Sequence, residues 1–111
     1  MNIFAEDNAW SVESYAGFYE NDDMHGYGLL IWQDGGYYEG DFVKNDPHGY
    51  GVHIYISGNQ YEGFYKHGLQ NGEGTYNWTD GSSYTGSWKN GDQDGFGTFR
   101  YSNGDIYEGN F

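Results

Sequence analysis

The feature that most narrows what this chain can fold into is a strict internal period of 23 residues. Tyr-x-Gly occurs at Tyr15/Gly17, Tyr38/Gly40, Tyr61/Gly63, Tyr84/Gly86 and Tyr107/Gly109. Gly-x-Gly recurs with the same step at Gly26/Gly28, Gly49/Gly51, Gly72/Gly74 and Gly95/Gly97, and a further glycine follows at Gly35, Gly58, Gly81 and Gly104. An aromatic residue stands two places after each Tyr-x-Gly, at Tyr19, Phe42, Tyr65, Trp88 and Phe111. Another precedes each turn glycine, at Trp32, Tyr55, Trp78 and Tyr101. Landmarks held in register without insertion mean that one supersecondary unit is reused along the chain.

The unit reads as a β-hairpin. Twenty glycines sit beside 13 Tyr, 7 Phe and 4 Trp, a mixture that is poor for helices, because glycine costs about 1 kcal/mol per helical position. It suits strands and tight turns. In the second repeat, residues 38–42 form the first strand, residues 49–55 the next, and residues 43–48 the connecting turn. Asp34-Gly35, Ser57-Gly58, Asp80-Gly81 and Asn103-Gly104 turn the chain into the following unit. A three-residue loop closing in a bulge sets Tyr76 opposite Tyr84, Gly74 opposite Gly86 and Gly72 opposite Trp88, so that rings lie over glycine backbone and the sheet can bend. The expected fold is all-β: a single-layer antiparallel meander of eight to ten strands, made of tandem 23-residue hairpin repeats and twisted and curved into an open trough. At about 4.8 Å per strand, four repeats extend about 40 Å. Residues 1–14 lie outside the pattern, as a cap or degenerate half-repeat. The array occupies residues 15–37, 38–60, 61–83 and 84–106, with a stub at 107–111.

Tyr-x-Gly-x-aromatic, a polar turn, Gly-x-Gly, then an aromatic and Asp/Asn-Gly resembles the MORN (membrane occupation and recognition nexus) repeat, most clearly in YEGDFVKNDPHGYGVHIYISGNQ and YTGSWKNGDQDGFGTFRYSNGDI. The resemblance covers residues 15–111. Asp22 and Asn45 stand where the family often has glycine in the polar turn, and its His-Gly, kept as His25-Gly26 and His48-Gly49, becomes Asn71-Gly72 and Asp94-Gly95. The resemblance implies a module that mediates protein–protein contacts at cytoskeletal or membrane-associated structures. Some members are credited with phospholipid binding.

Two stripes of rings are expected to line the trough. They comprise Tyr38, Tyr61, Tyr84 and Tyr107 with Phe42, Tyr65, Trp88 and Phe111, and serve both as core and as the walls of a partner-binding groove, since Tyr and Trp dominate binding hot spots. The opposite face is apolar only in the N-terminal half, at Tyr27, Leu29, Ile31, Tyr50, Val52 and Ile54, extended by Phe18 and Phe64. Repeats three and four present Glu73, Thr75, Asn77, Phe96, Thr98 and Arg100 instead. Exposed contiguous apolar surface marks an interface. Its expected cover is the chain's own start, through Ile3, Phe4, Trp10 and Val12, with a partner or a second copy as the alternatives. An open final strand also leaves a homodimer through that edge in view.

Charge restricts the partner. Seventeen acids against four basic residues give a net charge of -13, which repels nucleic acid and favours basic ligands. Ten of those acids fall within residues 1–46, opposed there by Lys44 alone. Lys44, Lys66, Lys89 and Arg100 are scattered, whereas anionic-lipid recognition needs a basic cluster. The chain has no cysteine for a disulfide or a thiolate metal site. His25 and His48 share a repeat position and are expected about 10 Å apart, too far for one zinc. The four histidines therefore read as turn structure, with no metal and no cofactor. The expected function is a non-catalytic, cytoplasmic scaffold or adaptor, reaching cytoskeleton or membrane only through its partner, that takes a basic, amphipathic peptide or helix in the aromatic groove. A phospholipid-surface module is the alternative.

Overall fold

A computed structural model describes residues 12–111. These residues form one antiparallel sheet whose nine strands lie in chain order. They are β1 (Val12–Glu20), β2 (Asp23–Trp32), β3 (Tyr37–Val43), β4 (Asp46–Ile54), β5 (Gln60–Lys66), β6 (Leu69–Asn77), β7 (Ser83–Lys89), β8 (Asp92–Arg100) and β9 (Ile106–Asn110). No helix is present among the described residues, and the sheet stays open, with β1 and β9 at its edges. Its extents are 46 × 24 × 21 Å. Ten-residue strands laid flat would span about 33 Å in a thin layer, so the cross-section of 24 by 21 Å records a strongly curled sheet.

Two kinds of turn alternate. Between repeats, Gly35 N–H donates to Trp32 O and Trp32 N–H to Gly36 O, both at 3.0 Å, enclosing a three-residue loop. The same pair of bonds closes the loops after Tyr55, Trp78 and Tyr101. Gly35 closes the bulge at φ 100°, a region costly for residues bearing a Cβ. Asp34 Oδ1 accepts from Gly36 N–H at 2.8 Å, and Asp80 and Asn103 repeat that bond to Ser82 and Asp105. The expected register follows: Tyr76 faces Tyr84, Gly74 faces Gly86 and Gly72 faces Trp88.

Within a repeat the turn is shorter than the sequence suggests. The expected connection over residues 43–48 shrinks to Lys44-Asn45, because Asp46, Pro47 and His48 already belong to β4. Lys44 and Asn45 both have positive φ (49° and 71°), as do Asn21-Asp22, His67-Gly68 and Asn90-Gly91. This is the two-residue turn whose twist matches that of the flanking strands. The polar residues were absorbed by a bulge: Gly40 faces Gly51 but Phe42 faces Pro47, so a two-residue step on β3 is matched by a four-residue step on β4.

Each turn is also tied to the repeat before it. Asn45 N–H donates to Met24 O, Gly68 N–H to Pro47 O and Gly91 N–H to Gln70 O, at 3.0, 2.9 and 2.9 Å. His48 and Asn71 add side-chain acceptors one position on, His48 Nδ1 for His67 N–H and Asn71 Oδ1 for Asn90 N–H. His48, though in β4, is thus part of the bracing of the next turn. His53 is not: it lies in β4 opposite Tyr38, fully buried, with its ring stacked 3.8 Å from that of Tyr55. The turn reading fails for it because strand alternation places residue 53 on the same face as Gly51.

Of the segment expected to cover the outer face, Ile3, Phe4 and Trp10 lie outside the described residues. Val12 sits in β1 opposite Trp32, half-exposed at the sheet edge rather than over that face.

Candidate interaction surfaces

Strand alternation sorts the nine strands' side chains onto two faces. The inner face carries Tyr-x-Gly-x-aromatic from one strand of each hairpin and Gly-x-Gly from the other. Each repeat tyrosine folds its ring over the glycine two residues on and over the glycine opposite. A Cβ added to Gly86 would stand 2.8 Å from Tyr84 Oη and 2.5 Å from Gly97 Cα, so a side chain there would displace either the ring or the neighbouring strand. The hydroxyl then reaches the carbonyl three residues on: Tyr38 to Asp41, Tyr61 to Phe64 and Tyr84 to Ser87, at 2.9, 3.0 and 2.8 Å. Tyr15 and Tyr107 repeat this bond at the two ends.

The rings meet edge to face in an unbroken file. Tyr15–Phe42, Phe42–Tyr38, Tyr38–Tyr65, Tyr65–Tyr61, Tyr61–Trp88, Trp88–Tyr84, Tyr84–Phe111 and Phe111–Tyr107 have centroids 4.8–5.5 Å apart and planes inclined by 81–90°. Each such pair contributes about 0.5–1.5 kcal/mol beyond the area it buries. Curling closes over this file. Tyr38, Tyr61 and Tyr84 are 0 % exposed, and Phe42, Tyr65 and Trp88 are buried beside them. Burial, the largest cause, raises the pKa of the Tyr38, Tyr61 and Tyr65 phenols, which stay neutral across the physiological range. Of the eight side chains expected to line the trough, Tyr107 and Phe111, 46 % and 39 % exposed, are open to solvent. The other six form the interior. A half-open aromatic band (Tyr76, Trp78, Phe99, Tyr101) flanks it along one rim.

The outer face is open. Tyr27 and Tyr50 are 54 % and 44 % exposed, and Leu29, Ile31, Val52 and Ile54 are half-buried between them. The register lays these residues in rows along the long axis. Leu29, Glu39, Val52 and Glu62 follow one another across β2 to β5, with Ile31, Tyr37 and Ile54 alongside. Leu29, Ile31, Tyr37 and Glu39 enclose a shallow cleft of about 280 Å³. Tyr27 Oη donates to Glu39, and Tyr50 Oη donates to Glu62. That bond is the first cause of the raised pKa of each tyrosine, which therefore remains a donor at neutral pH. No Lys, Arg or His lies within ion-pair distance of Glu39 or Glu62 among the described residues.

The first-strand members of this face (Tyr37, Glu39, Glu62) escape a search confined to the Gly-x-Gly strands. Alternation around Tyr38 and Tyr61 is the signal that locates them. Farther along, the same face turns polar: Glu73 accepts from Ser87 Oγ, and the Thr75 and Thr85 hydroxyls meet at 3.1 Å.

A second, larger depression of about 590 Å³ lies between the hairpin ends of repeats three and four, beside Lys66, Lys89 and Asp94. Its charges are mixed and its chemistry is not selective.

No curated protein matches the chain. The family model described as the MORN repeat matches residues 15–37, 38–60, 61–83 and 84–106. MORN repeats form a non-catalytic module generally associated with protein or membrane binding. With four consecutive matches spanning most of its length and a sheet built of the corresponding hairpins, the chain belongs to the MORN repeat family.

Proposed function

We propose that the chain is an interaction scaffold that takes a basic, amphipathic protein segment on the outer face of repeats one and two. The observation that carries this reading is the apolar surface formed by the exposed Tyr27 and Tyr50 with the half-buried Leu29, Ile31, Tyr37, Val52 and Ile54, interleaved with the exposed Glu39 and Glu62. Apolar anchors give such a contact its affinity, and the surrounding carboxylates select and steer cations. The buried file of rings supports that face from behind rather than meeting the ligand.

The test is fluorescence anisotropy of a labelled amphipathic Lys/Leu peptide against the whole chain, beside a control of equal composition with its apolar periodicity scrambled. Binding of the first, weakened by salt and abolished by Leu29→Asp/Val52→Asp in a chain whose thermal transition is unchanged, supports the reading. Equal binding of the control, or indifference to the double substitution, overturns it. Co-sedimentation with anionic vesicles at low salt is the parallel arm. Robust sedimentation there, with no peptide binding, would assign the face to a membrane surface, against the expectation from a net charge of -13.

A further inference from the structure

The outer face contains the same small arrangement twice. Tyr27 with Glu39, and Tyr50 with Glu62, occupy equivalent positions one repeat apart, each tyrosine hydroxyl donating to its carboxylate. The counterparts farther along do not form the pair: Glu73 and Thr85 stand at the third position, Phe96 and Glu108 at the fourth. The arrangement is therefore confined to the two repeats that carry the apolar surface. From this duplication we infer that the two Tyr–Glu pairs are paired cation subsites that read the spacing of basic residues on a bound α-helix, selecting Lys or Arg at positions i and i+7.

The spacing argument is geometric. Glu39 on β3 and Glu62 on β5 point to one face, two strands apart, which places them about 10 Å from each other. Seven helical residues rise about 10.5 Å and return to within about 20° of the starting direction. Two cations at i and i+7 on a helix laid across the strands therefore meet both carboxylates at once. An extended segment does not match. A rise of about 10 Å is three residues, which puts the two side chains on opposite faces, while steps of two or four residues give about 7 and 13 Å. Between the carboxylates, Val52 with Ile54 beside it presents an apolar floor for the residues at i+3 and i+4, and Tyr37, Leu29 and Ile31 continue it on the Glu39 side. Tyr27 and Tyr50 each hold one oxygen, Oε2, of a carboxylate whose residue is itself exposed. Their exposed rings offer the cation a second, π-type contact.

The inference rests on the scaffold reading above, and the experiment separates the two. Three helical peptides of equal composition, with the same apolar stripe, carry two lysines at i and i+7, at i and i+5, or one lysine at i alone. Each is titrated against the intact chain, E39Q, E62Q and the double variant. The expected result is that the i,i+7 peptide binds about tenfold more tightly than the i,i+5 peptide. Each single substitution weakens i,i+7 binding about threefold to tenfold, the size measured for partly exposed charge pairs. The single-lysine peptide should respond to one glutamate and not to the other. Equal affinity of the i,i+7 and i,i+5 peptides, or indifference to E39Q and E62Q, overturns the paired subsites. If Leu29→Asp/Val52→Asp still abolishes binding in that case, the scaffold reading survives alone. Absence of binding by all three peptides overturns both.

Discussion

Alternate residues of the same strands build two faces of opposite character. On one, Tyr38, Tyr61 and Tyr84 reach zero exposure in a sheet only one layer thick. On the other, Tyr27 and Tyr50, the same residue type a few positions away, remain about half exposed. What separates them is the glycine beneath the ring. Gly40 and Gly51 leave room for the Tyr38 ring to lie flat on the backbone, and the sheet curls around it. Tyr50 has Val52 two positions on and faces Phe64, whose ring lies 5.4 Å from its own. Aromatic content alone therefore does not say whether a stripe is core or contact surface. The residue two positions on does, glycine after Tyr38, Tyr61 and Tyr84 but Leu29 and Val52 after Tyr27 and Tyr50.

Substitutions across this divide test the contrast. Tyr61→Ala removes a ring with edge-to-face partners on both sides and a hydroxyl bond, at an expected cost of about 3–5 kcal/mol in urea denaturation. Tyr50→Ala on the open face should cost no more than about 1 kcal/mol. Comparable losses at the two sites would erase the distinction. Next in size is Gly74→Ala, whose Cβ would stand 2.6 Å from Tyr61 Cε1, with an expected loss of about 2–3 kcal/mol. Gly81→Ala meets nothing within 4 Å and should lose about 1 kcal/mol, through its φ of 95° alone.

Acid should weaken the inner face selectively. Burial lowers the pKa of His53 from 6.5 to about 3. The unfolded chain therefore binds a proton there before the folded chain does. The associated stability is complete above pH 6.5, declines as pH falls through the interval down to about 3, and is smaller by about 2 kcal/mol at pH 5. Melting temperatures recorded from pH 7 to pH 5 should fall less steeply for His53→Phe than for the unaltered chain, and parallel slopes would count against the buried neutral imidazole. The smallest effect sharpens the comparison within the core. The Tyr65 hydroxyl is buried without a hydrogen-bond partner among the described residues, so Tyr65→Phe should leave stability unchanged or raise it by up to about 1 kcal/mol. Tyr61→Phe, which gives up the bond to Phe64 O, should lower it by a similar amount.

The repeat frame, the three-residue loops and the glycine-over-glycine register were legible because each depends on residues near one another in sequence. Tyr76 opposite Tyr84 needs only the length of one loop. The tight turn at Lys44-Asn45 was less legible, because a bulge at His48-Gly49 absorbs the polar residues that read as loop. The six buried rings were legible as core beside their groove reading, but neither the completeness of their burial nor the place of His53 among them was. They depend on how far the sheet curls, a property summed over all the strands rather than written into any one repeat. The open face was half legible, since Tyr37, Glu39 and Glu62 belong to the strands whose other side supplies the conspicuous tyrosines.

The curled cross-section, fastened along its length by the file of interlocked rings, has a mechanical consequence. A flat sheet flexes easily across its strands, as a strip of paper does, whereas a strip folded lengthwise resists bending as an angle iron does. To bow along its 46 Å axis, this molecule would have to stretch one leg of the fold against the other. The leg that carries the two-residue turns is stapled from one repeat to the next by the bonds from Asn45, Gly68 and Gly91. The array therefore behaves as a short strut of fixed pitch, and anything laid along its outer side meets a straightedge rather than a surface that yields to fit.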